Sequence, residues 1–302
     1  MILEQTLRAR EPARILDRAR DYLELAKVRI TILSTVTCAV GYWLAVERVS
    51  WEMLPVLAGI FLLASAASVL NQIQERGLDA RMERTSRRPL PEGRVSPGEA
   101  WTLFAATAAG GGAFLYICGL PALGFGLAAL VWYNGVYTPL KRVTPFAVVP
   151  GAVIGALPPL AGWVAAGRGP LEGPILALAF FMFVWQIPHF WLILLYVGKD
   201  YEKAGLPSMH GIFSAEQLSR ITFVWILATA IAGLAMPVFG MGRGILLQAL
   251  LLLSAGWMAW GALKLLRPPA GPKPFRGVFL RINLYALAVL AALTLDKLVP
   301  IR

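Results

Sequence analysis

Asn71, Glu75 and Asp79 stand at i, i+4 and i+8. On a helix this spacing drifts only about 40° per step, so an amide and two carboxylates line one face over roughly 12 Å. Oxygen donors stacked in this way suit a hard divalent cation, Mg²⁺ in particular, which takes oxygen ligands and shares them with substrate phosphates. Arg84 and Arg88 follow directly, and guanidinium groups match phosphate oxygens in both charge and geometry. Further along, Lys199 and Asp200 lie just past an apolar run. Asp200 is placed to complete a second cation site and Lys199 to contact phosphate. The basic residues Lys27, Lys141 and Arg142 also sit at the ends of apolar runs, where they can reach the same anion.

The elements that carry these groups are membrane helices. Of the 302 residues, 58% are hydrophobic, and the mean hydropathy is +0.65. Soluble domains lie near ~45–50% apolar. Apolar runs of about 18 residues or more recur along the chain, each long enough to cross a bilayer. Nine spans are expected, at about 25–46, 53–73, 100–118, 121–139, 145–166, 174–197, 219–240, 244–266 and 278–299. Before them, residues 1–24 mix arginines with acids and hold no apolar core. They are expected to form a cytoplasmic amphipathic segment lying along the membrane, with residues 25–302 as one transmembrane domain.

The net charge of +11 would point to nucleic acid in a soluble chain, but here loop charge that fixes topology and meets anionic lipid explains it. Of the 28 Lys and Arg residues, an arrangement with the N-terminus inside places all but five in inside segments. That asymmetry predicts a multi-pass inner-membrane protein with its N-terminus cytoplasmic and its C-terminus outside. Cys38 and Cys118 lie in apolar segments without metal-site or disulfide spacing, which marks them as packing residues.

Prolines at 150, 158, 159, 188 and 237 weaken several spans. Such breaks are tolerated where neighbouring helices or a cavity satisfy the freed backbone groups. Gly151 and Gly155 form a small-xxx-small pair suited to close helix packing. Together these imply an all-α bundle around a cavity open on the cytoplasmic side, where the acidic and basic motifs converge. An allylic diphosphate fits this division, with its anionic head among Mg²⁺, Lys and Arg and its apolar tail in the bundle. Aromatic faces such as Tyr133, Tyr137, Trp185 and Tyr201 are candidates to face the allylic cation or the acceptor. His189 lies about eight residues inside the membrane, where an ionisable group is a functional candidate.

Four stretches resemble the UbiA-type intramembrane prenyltransferase superfamily: LAKVRITILSTVT at 25–37, the N-x3-E-x3-D-x2-M-x-R-T-x2-R-P-L run at 71–90, YTPLKRVTPFAVVPGAVIGALPPLAGW at 137–163 and WQIPHFWLILLYVGKDYEKAGLP at 185–207. The QIPHFW and RT-x2-RPL runs are similar to the haem-farnesylating branch. The resemblance implies a nine-helix bundle that transfers a farnesyl group from farnesyl diphosphate to a vinyl group of haem B, with addition of water and release of diphosphate. It implies Mg²⁺ held by Asn71, Glu75, Asp79 and Asp200, and diphosphate met by Lys27, Arg84, Arg88, Lys141, Arg142 and Lys199. His189 becomes a haem-side candidate, able to meet iron or propionate or to handle a proton. Haem A synthase or the assembly of a terminal oxidase would be the partners, alongside the lipid bilayer. Quinone-pathway relatives carry Asp where this chain has Glu75 and a second D-x3-D, where this chain has Asp200 followed by Ala204.

Other readings remain open. A relative acting on a quinone precursor or another aromatic acceptor would share the donor site but has no evident need of His189. A transporter would place polar groups at mid-bilayer on several helices, whereas here charge gathers at one interface. A haem-binding assembly factor would bind haem without releasing diphosphate.

Overall fold

The computed structural model describes residues 16–48, 50–203, 205–242, 244–267 and 273–298; of these, the side chains of 196–203, 210, 273–274 and 297–298 are left aside. Nine helices among the described residues are long and apolar enough to cross a membrane. We label the principal α-helix of each span α1 (Val28–Val46), α2 (Leu54–Asp79), α3 (Pro97–Ile117), α4 (Leu120–Val131, within the span Leu120–Leu140), α5 (Val153–Ala165, within the span Pro145–Ala165), α6 (Gly173–Lys203), α7 (Ala215–Leu234), α8 (Ile245–Ala262) and α9 (Lys273–Leu298). The described chain contains no strand.

Local sequence sets the helix ends. Ser96 and Glu99 form a capping box at the start of α3, and Ser214 and Gln217 form one at the start of α7. Each box satisfies backbone N–H groups that the first turn leaves unpaired. The expected second span ends at residue 73, but α2 runs on to Asp79. The acid ladder therefore belongs to the helix itself. The Thr85 hydroxyl donates to the Asp79 carbonyl at 3.0 Å and closes that end.

Two helices are interrupted at the cavity. After Val131, α4 widens into a π-helical turn, Trp132–Tyr137, and then continues as Thr138–Leu140. Such turns favour functional positions because they re-aim side chains. The fifth span is broken into a 3-10 turn (Pro145–Ala147), a short helix (Val148–Gly151) and α5, with Pro158 and Pro159 inside α5.

α1 and α5 pack almost backbone to backbone. A Cβ at Gly41 would lie 2.0 Å from the Pro159 carbonyl oxygen, and one at Gly162 would lie 2.0 Å from the Cys38 carbonyl oxygen. Gly151 and Gly155, expected as a helix-packing pair, each let a side chain of a neighbouring span approach closely. Gly151 admits the Tyr137 ring, and Gly155 admits the Gln186 amide. Both glycines make room for side chains at the cavity. Cys38 is buried and Cys118 half-buried, and both are free thiols.

Of the N-terminal segment, residues 1–15 lie outside the described residues. Residues 16–25 are helical. This helix is tied to the loop before α3 by an Arg94–Asp21 ion pair and to α3 by an Arg18–Glu99 pair. Gln72 of α2 donates to the Leu25 carbonyl at 2.7 Å, which anchors the segment just before Lys27.

Candidate active site

Each rung of the ladder is buried and each meets one cation. Asn71, Glu75 and Asp79 are only 2%, 3% and 1% exposed. Lys27 Nζ donates to Asn71 Oδ1 at 2.9 Å, Lys141 forms an ion pair with Glu75, and Arg88 Nη1 donates to Asp79 Oδ2 at 2.7 Å. A buried carboxylate is tolerable only when paired in this way. Asn71 Nδ2 also donates to Thr138 Oγ1 at 3.1 Å, which turns its oxygen toward Lys27.

Lys27 reaches this position through its backbone. It caps α1 in the left-handed region, at φ 48° and ψ 49°, which is uncommon for a residue with a side chain. Its Nζ also lies 3.5 Å from the Tyr133 hydroxyl. Burial, and then the neighbouring Arg88 and Lys141, lower the Lys27 pKa from 10.5 to about 7. Glu75 and Asp79 pull the other way but do not offset this.

The ladder opens into a cavity of about 970 Å³. From Asp79 the cavity follows α2 past Ala67 and Ala64 to Ile60, with Gly126 and Leu130 of α4 opposite. Tyr133 and Tyr137 are stacked at a centroid distance of 5.7 Å, and Lys141 Nζ lies 5.9 Å from the Tyr137 ring centre. Trp185 and His189 line the same cavity from α6. The loop after α6 adds Leu206, Ser208 and Met209, and Leu206 packs with Met82 and Leu78. On one side the wall includes Leu33 and Val36 of α1 and Leu287 of α9, residues that also face the exterior.

Arg84 lines the cavity from the loop beyond α2. Arg142 does not. Its guanidinium donates to the Gln74 carbonyl at 2.7 Å and braces α2 against the end of α4. The side chains of Lys199, Asp200 and Tyr201 lie outside the described residues, although the α6 backbone continues through them.

Three contributors went unnoticed in the sequence. Gln186 shares the cavity wall with His189. Asn283 and Phe279 of α9 complete the wall around His189. Asn283 had a signal, a carboxamide within an apolar span, but nothing nearby in sequence named its partner.

The donor set fits a divalent cation. Asp79 Oδ1 is buried and has no hydrogen-bond partner among the described residues. Asn71, Glu75 and Asp79 all border the cavity. No group of three His, Cys, Asp or Glu side chains gathers among the described residues, so the set here is two carboxylates and an amide.

The model of the UbiA prenyltransferase family matches residues 34–290. This chain belongs to the UbiA prenyltransferase family. Among its UbiA relatives is a protoheme IX farnesyltransferase of Geobacter sulfurreducens, 40% identical over 74% of this chain and 82% of that protein. Another, of Oleidesulfovibrio alaskensis, is 36% identical over 91% of this chain and 95% of its own length. The UbiA fold is matched by a structure described for digeranylgeranylglyceryl phosphate synthase, with a TM-score of 0.76 at 17% identity, over 93% of this chain and 99% of that one. A UbiA homologue from Archaeoglobus fulgidus, bound to GPP and Mg²⁺, matches with a TM-score of 0.64 at 18% identity, over 90% of this chain and 99% of that one. The chain is thus a multi-pass membrane prenyltransferase.

Proposed function

We propose that this enzyme transfers a farnesyl group from farnesyl diphosphate to a vinyl group of haem B. The observation that carries this reading is one continuous cavity. It is bordered both by a cation-paired acid ladder and by an aromatic wall around His189. The protoheme IX farnesyltransferases at 36–40% identity support haem as acceptor, and the GPP and Mg²⁺ held by the Archaeoglobus homologue support the donor and metal.

Asn71, Glu75 and Asp79 would hold Mg²⁺, with Asp200 as a further ligand. The metal supplies Lewis-acid neutralisation of the leaving diphosphate. Lys27, Arg84, Arg88 and Lys141 bind the phosphate oxygens, and Lys199 joins them. As the allylic C–O bond breaks, its electron pair leaves on the diphosphate, where these side chains receive the charge. Tyr133 and Tyr137 present π faces to the allylic cation. The apolar walls keep water away from it until the vinyl carbon adds. Water then adds to the cation on the porphyrin side and loses a proton, so one diphosphate and one proton are released for each hydroxyalkyl haem formed.

We infer that the ladder end faces the cytoplasm, in the inner membrane, with the N-terminus on that side and the C-terminus opposite. The loop charge supports this orientation. The product's consumers would be haem A synthase or an assembling terminal oxidase.

The deciding experiment incubates purified protein with farnesyl diphosphate, haem B and Mg²⁺ and examines the extracted haem by mass spectrometry. A farnesylated, hydrated haem is expected. Its absence, with prenylation of a phenolic quinone precursor instead, would replace haem as the acceptor.

A further inference from the structure

His189 is held on three sides. Its Nδ1 lies 2.9 Å from Asn283 Oδ1. Asn283 Nδ2 in turn donates to the Phe279 carbonyl at 2.6 Å. That second bond orients the amide so that its oxygen faces the imidazole. The facing Nδ1 must then carry the hydrogen, and Nε2 keeps its lone pair. The rings of Trp185 and Phe279 flank the imidazole, each at a centroid distance of 4.9 Å. Trp185 is itself pinned, its Nε1 donating to the Ile282 carbonyl at 3.1 Å. Trp185, His189, Phe279 and Asn283 all border the cavity.

This environment favours one role over another. An imidazole that shuttles protons is usually backed by a carboxylate, which stabilises the imidazolium. The contacts found for this ring, Trp185, Phe190, Phe279 and Asn283, are neutral. A neutral carbonyl oxygen behind Nδ1–H is how a metal-ligating imidazole is commonly oriented and made a better donor. Imidazole nitrogen also suits iron.

We propose that His189 is the axial ligand of the acceptor haem, binding its iron through Nε2, with Asn283 as the positioning residue that fixes the ring. The proposal rests on the haem reading above and deepens it. His189 precedes Asp200 by eleven positions on α6, about 16 Å along the helix. Phe190 and Tyr137 stand between His189 and the ladder's Lys141, so a porphyrin with its iron held at His189 would bring its rim toward the diphosphate end.

The test titrates haem B into the purified full-length protein and reads absorbance and resonance Raman spectra. Wild type is expected to show histidine-ligated iron. His189→Gly is expected to lose that signature, bind haem at least about tenfold more weakly, and regain the signature with added imidazole. Asn283→Asp is expected to raise the iron–histidine stretching frequency and Asn283→Leu to lower it, shifts that a purely structural contact does not produce. Retained farnesyl diphosphate binding verifies that the variants fold; where His189→Gly fails that check, His189→Gln takes its place. An unchanged spectrum in the His189 variant, or a frequency indifferent to residue 283, overturns the proposal. Failure of the haem reading is seen separately, as wild-type protein that makes no farnesylated haem.

Discussion

Arg88 donates to one oxygen of Asp79 at 2.7 Å while the other oxygen, equally buried, has no partner among the described residues. A carboxylate held in this way is anchored at one atom and open at the other, as a metal ligand needs to be. Asp79→Ala is expected to lower kcat by a factor of about 10²–10³, the scale of losing a dominant electrostatic contact to a leaving group. The variant should still purify as a monodisperse protein. Full turnover in it would refute the metal assignment.

The buried Lys27 predicts proton uptake. Its ordinary pKa of 10.5 falls to about 7 in the site without substrate. Above pH 7 it is therefore mostly neutral there, although it would be charged in water. An arriving diphosphate restores the charged form, so binding takes up a proton. Affinity for the prenyl diphosphate should weaken by up to about tenfold per pH unit above 7. Lys27→Arg, always protonated, should flatten that slope. Calorimetry in buffers of different ionisation enthalpy checks both.

The prenyl chain is expected to run along the cavity wall formed by α2. Ala64 and Ala67 line it between the ladder and Ile60. Ala64→Phe is expected to shorten the accepted chain, shifting preference from farnesyl toward geranyl diphosphate by about tenfold or more, since lost space in an apolar pocket weighs about 1–3 kcal/mol. Competition between the two donors, read by mass spectrometry, decides. Unchanged selectivity would place the tail elsewhere.

The α1–α5 contact predicts a stability contrast between two Gly→Ala changes. At Gly162 a methyl would meet the Cys38 carbonyl oxygen at 2.0 Å, whereas at Gly112 nothing lies within 4 Å. Gly162→Ala should destabilise by about 1–3 kcal/mol, the usual range for overpacking. Gly112→Ala should be neutral or stabilise by about 0.4–1 kcal/mol through the unfolded chain. Thermal unfolding in detergent separates the two.

The ladder was legible because its three rungs follow the helix period within a short stretch, and the periodicity needs no partner to be seen. The spans were legible from length and apolarity alone. Lys141 and Arg142 look equivalent in sequence, but adjacent positions point in different directions; the first meets Glu75 and the second braces the Gln74 carbonyl. Asn283 was invisible for another reason. It is 94 positions from His189, and only folding brings α9 beside α6. The π-helical turn at Trp132–Tyr137, which sets the stacked tyrosines, carries no local mark that distinguishes it from ordinary helix. The partners of Gly151 and Gly155 are Tyr137 and Gln186 on other spans, which the sequence does not name.

On the proposed reading, the three rung-and-cation pairs would make the site a coincidence detector. If the ladder holds Mg²⁺, free metal would compete with Lys27 and Lys141 for the rung oxygens and would stand beside Arg88. Free diphosphate draws those same cations off and leaves the acids exposed to one another. Either arrival alone breaks favourable pairs without replacing both halves. A ligand that brings metal and phosphate together repairs every broken pair at once, and its tail adds burial that inorganic diphosphate lacks. On that reading the protein would be guarded, in a cell rich in magnesium and in phosphate esters, against being occupied by either one.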